Sequence, residues 1–142
     1  MLRKQFLETS RGRIAALFQR GLLLVLAKSV RPDQQKKIMR QAGKSLAGEL
    51  AHGKHTSTNL EARVRAANDI LNPQLGTVTS VGRKNGGFVI RGVACPLAAI
   101  TNNQPCLVIE SLVGEIVDVP VRECCDRTGR PRCCFEVGSL HA

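Results

Sequence analysis

Six cysteines carry most of the chemical potential of this 142-residue chain: Cys95, Cys106, the doublet Cys124-Cys125 and the doublet Cys133-Cys134. A thiolate is a soft ligand, and four of them brought together suit zinc or an iron–sulfur cluster. Ten residues separate Cys95 from Cys106, seventeen separate Cys106 from Cys124, and eight separate Cys124 from Cys133. That spacing is wider than the paired C-x-x-C of common metal sites, so two other readings stand beside it. Cysteine packs readily as a small buried hydrophobe, and the two doublets suit redox or thiophilic sensing. His52 and His55 lie in a polar loop and His141 in the tail, where solvation explains them. No nucleophile elbow, zinc-protease helix or phosphate-cradling glycine loop is present, and the chain reads as a binding protein, not an enzyme.

The elements that must position these thiols follow from periodicity. Apolar residues recur at helical spacing from Thr9 to Ser29, with Ile14, Phe18 and Leu22 on one face, Leu17 and Val25 beside them, and Gly21 a possible break. Pro32 suits the first turn of a second helix reaching His52, with an apolar stripe of Met39, Ala42, Leu46 and Leu50. Thr58 and Glu61 form a capping-box pattern opening a third helix, on which Leu60, Val64, Ala67 and Leu71 share a face until Asn72-Pro73.

From Gly76 the period falls to two. Thr77–Val81 and Phe88–Val93 predict a β-hairpin around Asn85-Gly86. A fourth helix starts at Pro105, its Cys106, Ile109 and Val113 facing one way with Leu112 and Ile116 alongside. Val117–Cys125 and Arg132–Val137 then predict a second strand pair around Asp126–Pro131. Alternation turns Cys133 inward with Phe135 and Val137, and Cys134 outward. The turn brings Cys124/Cys125 near Cys133/Cys134. The order is ααα-ββ-α-ββ, an α+β fold in which N-terminal helices precede a small antiparallel sheet with a packed helix.

Charge divides the chain differently. The formal net charge is +10, and residues 1–54 hold +9 of it, while residues 95–142 are net acidic and contain every cysteine. We therefore read residues 1–30 as a basic helical arm and 31–142 as a cysteine-rich α+β domain. Arg11, Arg13 and Arg20 lie off the apolar face of the arm, where they can meet DNA phosphates. The chain has no Trp or Tyr, which argues against recognising single strands by stacking. The apolar run Leu22–Ala27 is too short to span a membrane or to serve as a secretory signal. Thiols without an export signal point to a reducing, cytoplasmic setting and away from three disulfides.

Three segments share a further likeness. Gly87-Phe-Val-Ile-Arg-Gly-Val-Ala-Cys-Pro-Leu-Ala98, Pro105-Cys106, and Val121-Arg-Glu-Cys-Cys-Asp-Arg-Thr-Gly-Arg-Pro-Arg-Cys-Cys-Phe-Glu-Val137 resemble the C-terminal sensor domain of bacterial winged-helix regulators of the arsenical-repressor-like (metalloregulator) superfamily. The branch most resembled includes the repressor of iron–sulfur assembly operons. The resemblance implies a dimeric transcriptional regulator whose widely spaced cysteines hold a metal or cluster. Cys95, Cys106 and Cys124 are the counterparts it suggests, with Cys133 as fourth ligand at a spacing that departs from the cluster-binding pattern, and Cys125 and Cys134 as additional thiols.

Glu8-Thr-Ser-Arg-Gly-Arg-Ile14 resembles the start of a winged-helix domain, yet Gly21–Ala27 passes straight into what resembles the linker and dimerisation helix. The helix-turn-helix is largely missing, so specific operator binding is not expected of this chain alone. The expected protein is a sensor and dimerisation module binding a metal, an iron–sulfur cluster or a thiol-reactive ligand. It would act as a homodimer or as a heterodimer with a full-length paralogue, touch DNA weakly, and have no membrane partner. The alternatives are a nonspecific DNA-associated basic protein and a small-molecule-binding module.

Overall fold

In the computed structural model, residues 2–51, 59–75, 78–93, 104–126, 128–130 and 132–138 are described. Helices α1 (Leu2–Ser29), α2 (Pro32–Leu50) and α3 (Leu60–Leu75) precede strands β1 (Thr79–Lys84) and β2 (Gly87–Gly92). Helix α4 (Gln104–Val117) and strands β3 (Val121–Glu123) and β4 (Cys134–Val137) complete the α+β order expected from the sequence. The chain forms two compact units, Met1–Lys36 and Lys37–Ala142, which divide it inside α2, a little beyond the end of the basic arm.

In the first unit α1 begins at Leu2, seven residues before the expected Thr9, and runs through Gly21 without a break. One glycine costs a helix only about 1 kcal/mol relative to alanine, too little to interrupt a helix flanked by good helix formers. The buried side chain of Gln35 donates from Nε2 to the carbonyls of Ala27 and Val30, closing groups that the end of a helix leaves unpaired. Ile14, Leu17, Phe18, Leu22 and Val25 are all at least half exposed.

In the second unit the buried stripe of α2 is Met39, Gly43, Ala47 and Ala51, one residue away from the expected Ala42 and Leu46. Ala42 is exposed. The small residues of this stripe permit an unusually close approach to α4: a Cβ placed on Gly43 would stand 2.2 Å from the carbonyl oxygen of Val108. Arg40 and Lys44 flank the contact with ion pairs to Glu110 and Glu115, both at 3.9 Å.

The N-cap of α3 is Asn59, whose Oδ1 accepts from the amides of Glu61 at 2.8 Å and Ala62 at 3.4 Å. Thr58 of the expected capping box lies outside the described residues, and the Glu61 carboxylate pairs with Arg65 and Arg83, at 3.0 and 2.7 Å. Helix α3 does not stop before Pro73, which sits in the last turn, where a missing N–H costs a single bond. Asn72 then fastens this end to the sheet: its Oδ1 accepts from Thr79 N at 2.9 Å and its Nδ2 donates to Thr79 O at 3.0 Å.

The sheet is antiparallel throughout, in the order β1-β2-β4-β3. Asn85 and Gly86 adopt φ of 47° and 77°, the left-handed pair that a two-residue hairpin needs. The third strand starts later than expected. Val117 belongs to α4, and Asp118 (φ 52°) ends that helix before Pro120. Val64, Ala67, Ile70 and Leu71 of α3 and Ile109, Leu112, Val113 and Ile116 of α4 pack with Ile90, Phe135 and Val137 of the sheet, all buried. This aliphatic core holds the start of α4 against the end of the β3–β4 hairpin.

A candidate metal centre and the thiols around it

Cys106 lies in the first turn of α4 on the face of Ile109 and Val113, so the helix that fills the core also buries this thiol to 3% exposure. The hairpin supplies its neighbours. Register continues beyond β3 and β4: Glu123 pairs with Phe135, Cys124 N donates to Cys134 O at 2.9 Å, and Asp126 pairs with Arg132. Cys124 is therefore opposite Cys134, and Cys125 opposite Cys133. Because Cys133 points inward with Phe135 and Val137, Cys125 does as well, and Glu123, two residues away, shares its face.

The result is a cluster in which one Sγ each from Cys106 and Cys125 and a carboxylate oxygen of Glu123 lie within 4.8 Å of one another. The Cys125 thiol hydrogen-bonds to the side chains of both Cys106 and Cys133. Around it, Cys125 N donates to Glu123 Oε1 at 3.1 Å, and Cys134 N donates to Cys125 Sγ at 3.4 Å. Glu110 Oε2 accepts from Glu123 N at 2.9 Å, which ties the end of β3 to the middle of α4. The hydrogen bond to Cys106 pulls the Cys125 thiol down, but the bond to Cys133 and burial outweigh it and push it up to about 12. In the metal-free state Cys125 is therefore a thiol, and a bound cation would displace its proton.

Such a donor set fits a single soft ion. In a tetrahedral zinc site with Zn–S near 2.3 Å, neighbouring sulfurs stand about 3.8 Å apart, so at most about 1 Å of closure converts the cluster into a coordination sphere. Cys106, Cys125 and Glu123 would be three ligands, and Cys133 is adjacent for the fourth position. An iron–sulfur cluster asks for four thiolates, one more than the three inward-facing cysteines among the described residues.

Sequence reasoning grouped Cys95, Cys106, Cys124 and Cys133. The structure keeps Cys106 in the group and exchanges Cys124 for Cys125, because strand parity puts Cys124 on the opposite face; Cys133 faces inward beside Cys125 but lies outside the group of converging ligand atoms. Cys95 lies outside the described residues. Glu123 escaped notice, although its two-residue offset from Cys125 on one strand was the available signal. On the other face the Cys124 and Cys134 side chains hydrogen-bond to each other. Burial, the neighbouring Cys134 and the Glu136 carboxylate, opposed by Lys84, push the Cys124 thiol up to about 12. Beside them the buried Glu136 carboxylate accepts from Lys84 Nζ at 2.6 Å and from Arg122 Nη2.

The remaining expected contacts lie elsewhere. Arg13 and Arg20 are exposed on α1, and the Arg11 side chain is outside the described residues. An open groove beside α4 is lined on one side by Lys44, Glu110, Glu115 and Asp118 and on the other by Val119, Pro120 and Val121. Among the described residues no helix is long and apolar enough to cross a membrane. Comparison of the chain with protein-family models and with curated proteins returns no match.

Proposed function

We propose that residues 37–142 are the metal-responsive sensor module of a transcriptional-regulator-type protein, binding one soft divalent cation, zinc by preference, through Cys106, Cys125 and Glu123 with Cys133 completing the set. The observation that carries this reading is the convergence of two sulfurs and a carboxylate oxygen within 4.8 Å, at a point where a buried helix start meets a strand end. Those two elements are joined otherwise by the Glu110–Glu123 hydrogen bond and by packing, so a cation drawn between them would tighten the position of α4 against the hairpin. A ligand that prefers the tightened form shifts the population toward it, which is what a sensor domain needs. Binding, and not catalysis, is the proposed role. The resemblance to arsenical-repressor-like sensor domains supports the same assignment, with a homodimer or a heterodimer with a full-length paralogue as the assembly. An iron–sulfur cluster is the second ligand, and it would require Cys95.

Anaerobic titration with Co(II) tests the site. A thiolate-to-cobalt charge-transfer band saturating at one equivalent is expected. Cys106→Ser and Cys125→Ser should each weaken binding at least as much as loss of a supporting outer-shell group, about 10–100-fold. Cys124→Ser should bind as the parent does. Equal losses at Cys124 and Cys125, or no charge-transfer band, would refute the assignment. After anaerobic reconstitution with iron and sulfide, a colourless protein would eliminate the cluster.

A further inference from the structure

The Cys124/Cys134 pair is absorbed by none of this. It sits on the opposite face of the β3–β4 hairpin from the metal candidate, and both residues are half-buried, whereas Cys106 and Cys133 are 3% exposed. We infer that Cys124 and Cys134 form a second, independent thiol site, which closes into an intramolecular disulfide on reaction with an anionic low-molecular-weight disulfide of the glutathione type.

Geometry makes the pair. The two residues occupy directly opposed positions on one face of the hairpin, with Cys124 N donating to Cys134 O at 2.9 Å. Alternation identifies this as a hydrogen-bonded position of the ladder, since Asp126 and Arg132, two residues on, exchange both of their backbone bonds. Cα atoms at such positions stand about 5.5 Å apart, within the commonest separation across a disulfide. The Cys134 amide donates to Cys125 Sγ and not into a regular ladder bond, so an adjustment of the Cys134 backbone on closure is felt at Cys125 and not along the ladder.

Surroundings choose the reagent. Cys134 is in register with Arg91 on its other side, which places Arg91, Cys134 and Cys124 in one row across three strands. Arg91 and Arg122 are both exposed on this face, where Lys84 and Arg122 together outweigh the single Glu136 carboxylate they bracket. The net positive charge beside a reachable dithiol favours a disulfide that carries carboxylates. In the reaction one sulfur of the pair attacks the S–S bond of the reagent and expels one half as a thiol. The second sulfur then displaces the other half and forms the Cys124–Cys134 bond. The two thiol protons leave on the two released thiols, so the protein loses two electrons and the reagent gains them.

Treating the full, reduced, metal-free chain with oxidised glutathione, followed by differential alkylation before and after reduction, reads the outcome in the parent protein. Fragmentation between residues 124 and 125, and between 133 and 134, assigns each label. Cys124 and Cys134 should be protected from the first alkylation and labelled only after reduction, and the protein should be lighter by two hydrogens with no glutathione retained. Cys124→Ser and Cys134→Ser should instead accumulate a mixed disulfide on the surviving partner, while Cys125→Ser closes as the parent does. Alkylation of Cys124 or Cys134 before reduction, a stable mixed disulfide on the parent, or a cross-link that survives Cys124→Ser would overturn the inference. The metal candidate uses the other face, and its cobalt titration on Cys124→Ser, in which this disulfide cannot close, reads that site apart from this one.

Discussion

Replacing Gly43 by alanine is the most direct test of the packing that places Cys106. A Cβ at this position would meet Val108 O at 2.2 Å, Ser111 Cβ at 2.6 Å and Leu112 N at 3.0 Å. The first of these contacts falls 0.8 Å short of the 3.0 Å that real Cβ contacts respect, and it is made with helix backbone, so no rotamer relieves it. Helix α2 must withdraw from α4 by nearly an ångström, loosening Met39, Ala47 and Ala51 from the core. Overpacking of this kind costs about 1–3 kcal/mol, against a gain of about 1 kcal/mol for alanine over glycine within a helix. The net effect is therefore a loss of about 0–2 kcal/mol. At about 4 °C per kcal/mol for a domain of this size, Tm should fall, by up to about 8 °C.

Gly48 supplies the control in the same helix. It is exposed and has nothing within 4 Å of the point an added Cβ would occupy, so Gly48→Ala keeps only the propensity gain and should raise Tm by about 2–4 °C. The assay is thermal unfolding of the two variants followed by circular dichroism. If both raise Tm, α2 is not in contact with α4 at Gly43, and the account of how α4 is held fails. The same shift should be visible at the thiols, since α4 carries Cys106: Gly43→Ala should weaken cobalt binding while Gly48→Ala leaves it unchanged.

Two further expectations concern pH. Cys124 and Cys125 are both raised in the folded state from about 9 to about 12, so folding favours their protonated forms. That contribution is fully present below about pH 9 and is lost as pH rises toward 12. The metal-free protein should therefore become less resistant to urea across this window, and Cys124→Ser with Cys125→Ser should flatten the dependence. A pH-independent midpoint in the parent would contradict it. Glu136 runs the other way. Hydrogen bonds from Lys84 and Arg122 hold its carboxylate below the usual carboxylate range, so its contribution is present above about pH 4.5 and is lost as pH falls through the lowered value. Glu136→Gln should lower the urea midpoint at neutral pH and flatten its fall on the acid side, and an unchanged acid limb would show that the two cations do not stabilise the fold through this group.

Much of the architecture was legible because period and punctuation agreed. The 3.6-residue stripe of Cys106, Ile109 and Val113, the Asn85-Gly86 turn and the inward parity of Cys133 all appear in the structure as the sequence implies. What failed has a common cause, since each failure depended on a partner in space. The buried residues along this stretch of α2 are Gly43 and Ala47, because α4 approaches closely enough to require small residues there, while the expected Leu46 and Leu50 pack against the edge of the core. The Glu61 carboxylate meets Arg83, twenty-two residues away, a contact that local pattern cannot supply. Glu136 alternates as an outward residue yet is buried, because Lys84 and Arg122 close over it from neighbouring strands.

The same dependence decides what the cysteines are. Two doublets on paired antiparallel strands put one cysteine from each strand on each face of the hairpin, whichever way the strands align. Composition and spacing alone cannot tell which of them join Cys106. A one-residue slip of one strand would send its inward thiol outward and turn the other member of its doublet inward, so a different pair would face Cys106. The register is held by groups that are not cysteines: Phe135 and Val137 buried in the core, Glu136 bracketed by Lys84 and Arg122, and Glu123 N bonded to Glu110 on α4. Glu110 thus anchors the strand end at the point where Glu123 and Cys125 turn toward Cys106. The identity of the site is a property of strand alignment, and the polar residues that fix the alignment are as much a part of it as the thiols.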